Sequence, residues 1–230
     1  MADLAGGVEG RRRTFTDLRP ERVAENLARV RERIAAAGGD PERVAVCAAI
    51  KYVPAAELPA LAEAGVELVG ENRAQDLAAK QAEHCDLFAW DFIGALQSRK
   101  VRELVGRVRL IHSVASESAL RQLAVHPVPE VLVEVNVAGE AGKAGIAPNE
   151  LGDFIAAAPV PVGGLMAMPP AVTDPEQNRP HFARLAELAA DHGLRRLSMG
   201  TTQDFEVAVS EGATIVRLGS VLYEGASLPA

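Results

Sequence analysis

The chain contains few of the residues that form metal clusters or covalent cross-links. Its 230 residues include two cysteines, Cys47 and Cys85, which form no CxxC pair, so a disulfide framework is not predicted. The five histidines share no ligand spacing, and a metal site is therefore not expected. Cys47 falls inside an apolar run, where a free thiol behaves as a small hydrophobic group and suits a reducing cytoplasm.

Basic residues are outnumbered by acidic ones. The chain has 24 lysines and arginines against 31 acidic residues, and its net charge of −7 argues against binding to nucleic acid or to an anionic membrane. The one basic run, Arg11-Arg12-Arg13, lies in a glycine-rich stretch, and residues 1–19 are predicted to be a flexible tail. The uncharged stretch of residues 154–173 contains four prolines, which rule out a continuous membrane helix. With no apolar signal region near its start, the protein is predicted to be soluble and cytoplasmic.

Short apolar runs alternate with helical patterns over residues 20–230. A first helix is predicted from Pro20 to Ala37, where apolar residues recur at helical spacing. Eight strands are then predicted at residues 44–50, 66–69, 87–93, 108–112, 131–136, 160–168, 196–199 and 214–218. Strands that alternate with helices form parallel sheets, and eight such units in about 200 residues fit a closed barrel. The predicted fold class is α/β, a single-domain (β/α)8 TIM barrel with an extra N-terminal helix.

A doubly wound open sheet is the competing architecture. Such a sheet normally carries a GxGxxG motif after its first strand, whereas the segment after Ile50 has no glycine before Gly65. No linker or shift in composition marks a second domain. Residues 20–230 are therefore predicted to form one barrel domain.

Lys51 follows the apolar run from Val44 to Ile50 and precedes Tyr52-Val53-Pro54. Desolvation at the end of an apolar strand disfavours the charged ammonium, so the pKa of this lysine is expected to be lowered. A free amine can attack an aldehyde and form a Schiff base. The alternative is a lysine at a strand end whose ammonium simply reaches solvent.

The C-terminal ends of barrel strands form the mouth where active sites lie. There the sequence places Lys51, several amide and hydroxyl groups and one arginine, while Glu71 stands alone without a second carboxylate. The last two strand ends, Ser198-x-Gly200-Thr201-Thr202 and Arg217-x-Gly219-Ser220, have the small residues typical of phosphate-binding loops. A lysine beside such loops predicts a phosphorylated carbonyl ligand. Either the sugar phosphate of a Schiff-base aldolase or pyridoxal phosphate fits, and these residues alone do not choose between them.

Nine collinear motifs make the chain similar to a known family. They are IKYVP (50–54), GENRAQ (70–75), WDFIGALQS (90–98), IHS (111–113), VNV (135–137), GKAG (142–145), GLMAMP (164–169), LSMG (197–200) and VRLG (216–219). From about Arg22 to Gly225 the chain resembles the pyridoxal phosphate homeostasis protein family, which is related in fold to the N-terminal barrel of alanine racemase.

The resemblance implies a barrel that holds pyridoxal phosphate as an internal aldimine, a Schiff base on Lys51. It also implies roles for six further residues: Ser198, Gly219 and Ser220 would hold the phosphate, Arg217 would face the pyridine nitrogen, and Asn72 and Met166 would line the ring. Because arginine does not release its proton, the ring nitrogen would stay unprotonated and withdraw electrons weakly. Family members act in intracellular vitamin B6 homeostasis without an established catalytic reaction. The expected partners are the cofactor and apo-enzymes that receive it, and the expected state is a monomer.

The sequence departs from the family pattern at several places. The usual Ser-Lys-Thr-Lys-Pro is replaced by IKYVP, so Val53 stands where a second lysine is common, and Asp91 replaces the usual histidine after the tryptophan. Lys143, in a glycine-rich loop, is either a solvated lysine or a second aldehyde-reactive site.

The alternative function is a pyridoxal-phosphate-dependent amino-acid racemase. Racemases of this fold add a β-rich domain that supplies a tyrosine, which is not expected after the eighth strand here.

Overall fold

A closed eight-stranded barrel forms the body of the protein. The structure is a computed structural model that describes residues 14–225. Its strands are β1 Ala45–Ala49, β2 Leu68–Glu71, β3 Ala89–Phe92, β4 Leu110–Val114, β5 Val131–Glu134, β6 Val162–Met166, β7 Arg196–Thr201 and β8 Ile215–Leu218. Each strand pairs in parallel with the next, and β8 pairs with β1 to close the ring. The predicted (β/α)8 barrel is confirmed.

Helices connect the strands on the outside of the barrel. They are α1 Pro20–Ala36, α2 Leu58–Glu63, α3 Ala74–His84, α4 Val101–Leu104, α5 Glu117–Val125, α6 Leu151–Ala156, α7 Arg179–Asp191, α8 Phe205–Ser210 and α9 Ser220–Tyr223. Short 3₁₀ turns at Ala55–Glu57, Cys85–Leu87, Ser98–Lys100 and Pro175–Asn178 precede or follow some of them. None of the helices between residues 14 and 225 has both the length and the apolar character needed to cross a membrane.

Helix α1 is the predicted extra helix before the first strand. It buries Val23, Leu27, Val30 and Ile34, which recur every three or four residues and so share one face. The side-chain nitrogen of Asn26 donates to the carbonyl oxygens of Leu222, at 3.0 Å, and Glu224, at 3.1 Å. The helix therefore packs against the segment that follows β8. This contact joins the part of the chain before β1 to the part after β8.

Alternate residues of each strand point into the barrel. An apolar cluster fills part of this interior and is separate from the larger core between strands and helices; it comprises Cys47, Leu68, Leu110, Leu132, Met166 and Ile215. The same interior also contains buried polar residues, Asp91, His112, Ser198 and Arg217. The barrel is thus a packed core with a polar section, not an open pore.

Two strands begin and end later than the sequence pattern predicts. Strand β2 was expected at residues 66–69, but the backbone N–H of Val66 donates to the carbonyl of Leu61 and closes the turn after α2. Gly65 makes this turn possible with a φ of +83°. Glu71 consequently lies inside β2. Strand β4 likewise runs from Leu110 to Val114 instead of over residues 108–112.

Residues 1–13 of the predicted tail lie outside the described residues. Residues 226–230 at the other end of the chain also lie outside them. Residues 14–19 do not behave as a flexible tail. Phe15 and Leu18 are buried, and the Phe15 N–H donates to the Tyr52 carbonyl at 2.9 Å. The Glu57 carboxylate accepts from the backbone N–H groups of Asp17, at 2.9 Å, and Leu18, at 2.8 Å. This segment packs on the residues that follow β1.

Candidate functional site

A cavity of about 590 Å³ opens at the C-terminal ends of the strands. Five of the seven predicted site residues line it, namely Lys51, Asn72, Arg217, Gly219 and Ser220. The remaining wall includes Phe15, Tyr52, Met168, Thr202 and Gln203, which were not among the seven predicted site residues. The structure therefore gathers the lysine and the loops after β7 and β8 around one space.

Lys51 lies two residues beyond the end of β1 and is exposed. Its ammonium nitrogen is 4.7 Å from the centroid of the Tyr52 ring, and it makes no hydrogen bond or ion pair with any residue from 14 to 225. The prediction of a desolvated lysine is wrong, because the side chain leaves the apolar strand and extends into the open cavity. The amine is accessible to a small carbonyl compound.

The buried lysine of this region is Lys80 on α3. Its ammonium nitrogen lies 2.5 Å from Glu71 Oε2 and 2.7 Å from the carbonyl oxygen of Ile50. The other carboxylate oxygen of Glu71 accepts from the backbone N–H of Asn72 at 2.6 Å. Glu71, which the sequence placed at the mouth without a second carboxylate, is thus paired with a buried lysine. Together, Lys80 and Glu71 hold the ends of β1 and β2 side by side, directly beneath Lys51 and Asn72.

Lys80 could have been found from the sequence. It follows Ala74 and Leu77 at intervals of three residues, and all three are buried on the same face of α3. A lysine on the apolar face of a helix must be paired, because an unpaired buried charge is costly. The partner is Glu71, the buried residue that ends the preceding strand.

Asn72 has an unsatisfied polar atom. Its side-chain oxygen is buried and has no hydrogen-bond partner among the described residues. The position of its backbone is closely determined, since a methyl group added at Gly94 would lie 2.0 Å from the Asn72 carbonyl oxygen. Buried polar atoms are usually hydrogen-bonded in native proteins. An unpartnered amide oxygen at the cavity wall is a feature that a bound ligand can satisfy.

The loops after β7 and β8 meet at one end of the cavity. The hydroxyl of Thr202 accepts from the backbone N–H of Gly219 at 3.3 Å, so the two loops are in direct contact. Gly200 has a φ of +90°, and a methyl group added there would lie 2.7 Å from Cβ of Ala208. Gly219 is different, because an added methyl group would be no closer than 3.9 Å to Ala49. Packing requires a glycine at position 200 but leaves free space beside Gly219.

The other two predicted site residues, Ser198 and Met166, do not line the cavity. Ser198 is completely buried, and its hydroxyl lies 2.8 Å from His112 Nδ1 and 2.6 Å from Arg217 Nη1. Met166 belongs to the apolar cluster inside the barrel, and Met168 reaches the cavity instead. Thr202, not Ser198, lines the cavity, and its hydroxyl contacts the Gly219 N–H.

Arg217 is buried and forms no ion pair with a carboxylate among the residues that the structure describes. Its Nη1 donates to the Ser198 carbonyl at 2.7 Å and to the Ser198 hydroxyl, while Nη2 donates to the Ala167 carbonyl at 2.9 Å and contacts Met168 Sδ at 3.0 Å. Burial lowers the pKa of this guanidinium from its ordinary value, although arginine remains charged in proteins. Of its five N–H donors, the one on Nε has no partner in the described part of the chain. That donor is left for a ligand.

A chain of hydrogen bonds runs from Arg217 through the barrel interior. His112 Nδ1 contacts Ser198, and His112 Nε2 lies 3.0 Å from Asp91 Oδ2. Arg109, at the opposite end of the barrel, holds Asp91 with two bonds of 3.0 and 2.7 Å. Burial lowers the pKa of His112 and outweighs the opposing effect of Asp91.

The protonation states of Asp91 and His112 determine which atom donates in each of these hydrogen bonds. Burial acts to raise the pKa of Asp91, but the hydrogen bonds from His112 and Arg109 prevail and hold it below the ordinary value. Asp91 is then an acceptor, and neutral His112 donates from Nε2. His112 Nδ1 accepts from the Ser198 hydroxyl, whose oxygen accepts in turn from Arg217. Every member of the chain is satisfied, which fixes the orientation of Arg217.

Lys143 lies outside this cavity. Its ammonium nitrogen is 2.5 Å from Glu140 Oε1 within the same loop. Asn136 holds this loop in place, because its side chain donates to the Glu140 carbonyl and accepts from the Glu140 N–H. An ion-paired lysine on a loop agrees with the simpler of its two predicted roles.

Comparison with known proteins first identifies the class of proteins to which this barrel belongs. Residues 18–227 match the family model described as the N-terminal domain of alanine racemase. The alanine racemase of Corynebacterium glutamicum shares this fold with a TM-score of 0.70 and 14% identity, over 90% of this chain and 62% of the racemase.

Within that class, the chain belongs to the pyridoxal phosphate homeostasis protein family. It is 41% identical over 221 residues to the pyridoxal phosphate homeostasis protein of Aquifex aeolicus, which covers 87% of this chain and 97% of that protein. The structure of PipY from Synechococcus elongatus with PLP bound is similar with a TM-score of 0.74 and 33% identity, over 87% of this chain and 99% of PipY.

Proposed function

We propose that the strand-end cavity binds pyridoxal phosphate, with Lys51 forming a Schiff base to its aldehyde, and that the protein acts in vitamin B6 homeostasis. The observation that supports this most directly is the exposed amine of Lys51 in a cavity that is also lined by Arg217, a buried guanidinium that forms no ion pair with residues 14–225. When bound, this cofactor supplies an aldehyde that reacts with amines and a ring that can withdraw electrons.

Three features of the wall fit the parts of this ligand. The free Nε donor of Arg217 matches the ring nitrogen, which has a lone pair. The unpartnered oxygen of Asn72 matches a hydroxyl donor on the ring. The space beside Gly219, with the hydroxyls of Thr202 and Ser220 next to it, can hold a phosphate group. In this assignment Thr202 takes the role that the sequence analysis gave to Ser198, and Gly219 and Ser220 keep theirs.

We further propose that the protein holds and releases the cofactor instead of catalysing a reaction with it. Arg217 cannot transfer a proton to the ring nitrogen, so the ring would withdraw few electrons from a substrate. The hydrogen-bond chain through Ser198, His112 and Asp91 keeps Arg217 charged and oriented. Apo-enzymes are the expected recipients of the released cofactor.

Reduction with borohydride tests the site. The protein is mixed with pyridoxal phosphate, reduced, digested and examined by mass spectrometry, and we expect the label on Lys51. Lys51→Ala should lose the visible absorbance and the label while keeping its melting temperature, because an exposed lysine that makes no hydrogen bond or ion pair with residues 14–225 contributes little to stability. Lys143→Ala is the matched control and should retain both signals.

Titration with pyridoxal tests the phosphate end. We expect pyridoxal to bind Lys51 much more weakly than pyridoxal phosphate, since charge-assisted hydrogen bonds to the phosphate are about twice as strong as neutral ones. Equal affinities would show that the loops after β7 and β8 do not bind phosphate. An assay with L-alanine addresses the racemase alternative, and measurable formation of D-alanine that depends on Lys51 would refute the non-catalytic role.

A further inference from the structure

A second cavity, of about 620 Å³, opens at the N-terminal end of the barrel, opposite the ligand cavity. Four arginines line it: Arg43, Arg109, Arg195 and Arg196. Glu130 is the one acidic residue in the described lining. This concentration of positive charge is unusual in a chain whose net charge is −7. A cationic cavity in an acidic protein attracts small anions.

The topology directs these arginines toward one point. Arg43 precedes β1, Arg109 precedes β4, and Arg195 and Arg196 stand at the start of β7. Strands 1, 4 and 7 are separated by two or three positions around the closed ring, so the guanidinium groups surround the barrel axis from three sides. An anion on the axis would be within the common reach of all three positions.

The internal ion pairs do not use up this charge. Arg109 binds Asp91 through Nε and Nη2, and Arg196 binds Glu130 through Nε at 2.7 Å. The Nη1 group of Arg109 and both Nη groups of Arg196 have no partner among residues 14–225. Arg43 and Arg195 are exposed and form no ion pair within the same residues. Two positive charges therefore lack a carboxylate, and donors from all four arginines remain available.

The floor of the cavity is apolar. Ala45 and Ile215 lie between the arginines, and Val162 and Leu194 extend the wall. Ile215 also belongs to the apolar cluster inside the barrel, which separates this cavity from the ligand cavity. We propose that the N-terminal cavity is a binding site for a small organic anion, with its phosphate or carboxylate group held by the arginines and its apolar part on this floor. This site is separate from Lys51.

Calorimetric titration of the full chain with phenyl phosphate tests the proposal. Inorganic phosphate and phenol are titrated in parallel, all at one ionic strength set with sodium chloride. We expect saturable binding of phenyl phosphate, weaker binding of inorganic phosphate and none of phenol. Arg43→Gln and Arg195→Gln leave no carboxylate unpaired, so both variants should fold, and the double variant should bind phenyl phosphate at least about tenfold more weakly.

Two controls locate the binding. Arg102→Gln removes an exposed arginine on α4 that has no ion pair in the described structure, and its affinity for phenyl phosphate should not change. The absorbance of pyridoxal phosphate on Lys51 should be the same in Arg43→Gln/Arg195→Gln and the unmodified protein. If the double variant binds phenyl phosphate as well as the unmodified protein does, the proposal is overturned. Equal affinity for inorganic phosphate would overturn the assignment of an organic ligand.

Discussion

The ion pair between Lys80 and Glu71 should be essential for stability even though it lies next to the ligand cavity. The Glu71 side chain is 0% exposed and that of Lys80 is 9% exposed. Lys80→Met leaves the carboxylate buried without its counter-charge, and breaking a buried pair in this way costs about 3–5 kcal/mol. Because total stabilities of domains are about 5–15 kcal/mol, the variant should fold but unfold at clearly lower urea concentration. The fluorescence of the single tryptophan, Trp90, which is buried, reports the transition.

The double variant Lys80→Met/Glu71→Gln separates charge burial from loss of packing. It removes the uncompensated carboxylate, so it should be more stable than Lys80→Met alone by about 1–3 kcal/mol. Lys100→Met is the matched control, since Lys100 pairs with Glu103 on the surface, where side-chain exposures are 19% and 33%. That change should cost less than about 1 kcal/mol. Equal losses for Lys80→Met and Lys100→Met would refute the conclusion that the buried pair joins β1 to β2.

Three further predictions concern the barrel interior and the C-terminal end of β7. ¹⁵N NMR of the His112 imidazole in the unmodified protein should show the proton on Nε2, and Asp91→Asn, whose neutral amide is a weaker acceptor, should weaken pyridoxal phosphate binding by loosening Arg217; a proton on Nδ1 in the unmodified protein would contradict the assigned direction. Because the pKa of His112 is lowered in the folded state, the unfolded chain binds more protons at acidic pH. The free energy of unfolding should therefore fall as the pH drops below about 6.5, by up to about 1.4 kcal/mol per pH unit. Urea titrations of His112→Gln should show a shallower pH dependence. Gly200→Ala should lower the free energy of unfolding by about 1–3 kcal/mol, since its φ of +90° and the 2.7 Å approach to Ala208 both oppose a side chain. An unchanged melting temperature would show that this end of β7 relaxes to accept a methyl group.

The barrel itself was predictable because its signals are local and repeated. Each strand is an apolar run, and each connecting segment has a helical pattern, so errors at single boundaries did not change the number of units. The boundaries failed where a tertiary contact decided them. Val66 has strand-like neighbours, yet its N–H completes the turn after α2, which no pattern within the strand indicates.

Errors in strand length explain why Ser198 and Met166 were expected at the barrel mouth although neither lines the cavity. The sequence pattern ended β7 at Met199, which made Ser198 look like a residue of the barrel mouth. The strand continues to Thr201, so Ser198 lies three residues inside the barrel and faces His112. Similarly, the predicted strand from 160 to 168 ends at Met166, whose side chain fills the interior. The residues after the strands, Lys51, Gly219 and Ser220, were assigned to the mouth without this difficulty.

Asp91 shows why a single position is hard to interpret from a sequence. In the sequence it is only a departure from the family's usual histidine. In the structure its carboxylate would be costly to bury alone, and the cost is offset by Arg109 and His112. Arg109 precedes β4, eighteen residues later, and reaches Asp91 from the opposite mouth of the barrel. The aspartate and the arginine are therefore one unit, and the interior of this barrel tolerates the first because it contains the second.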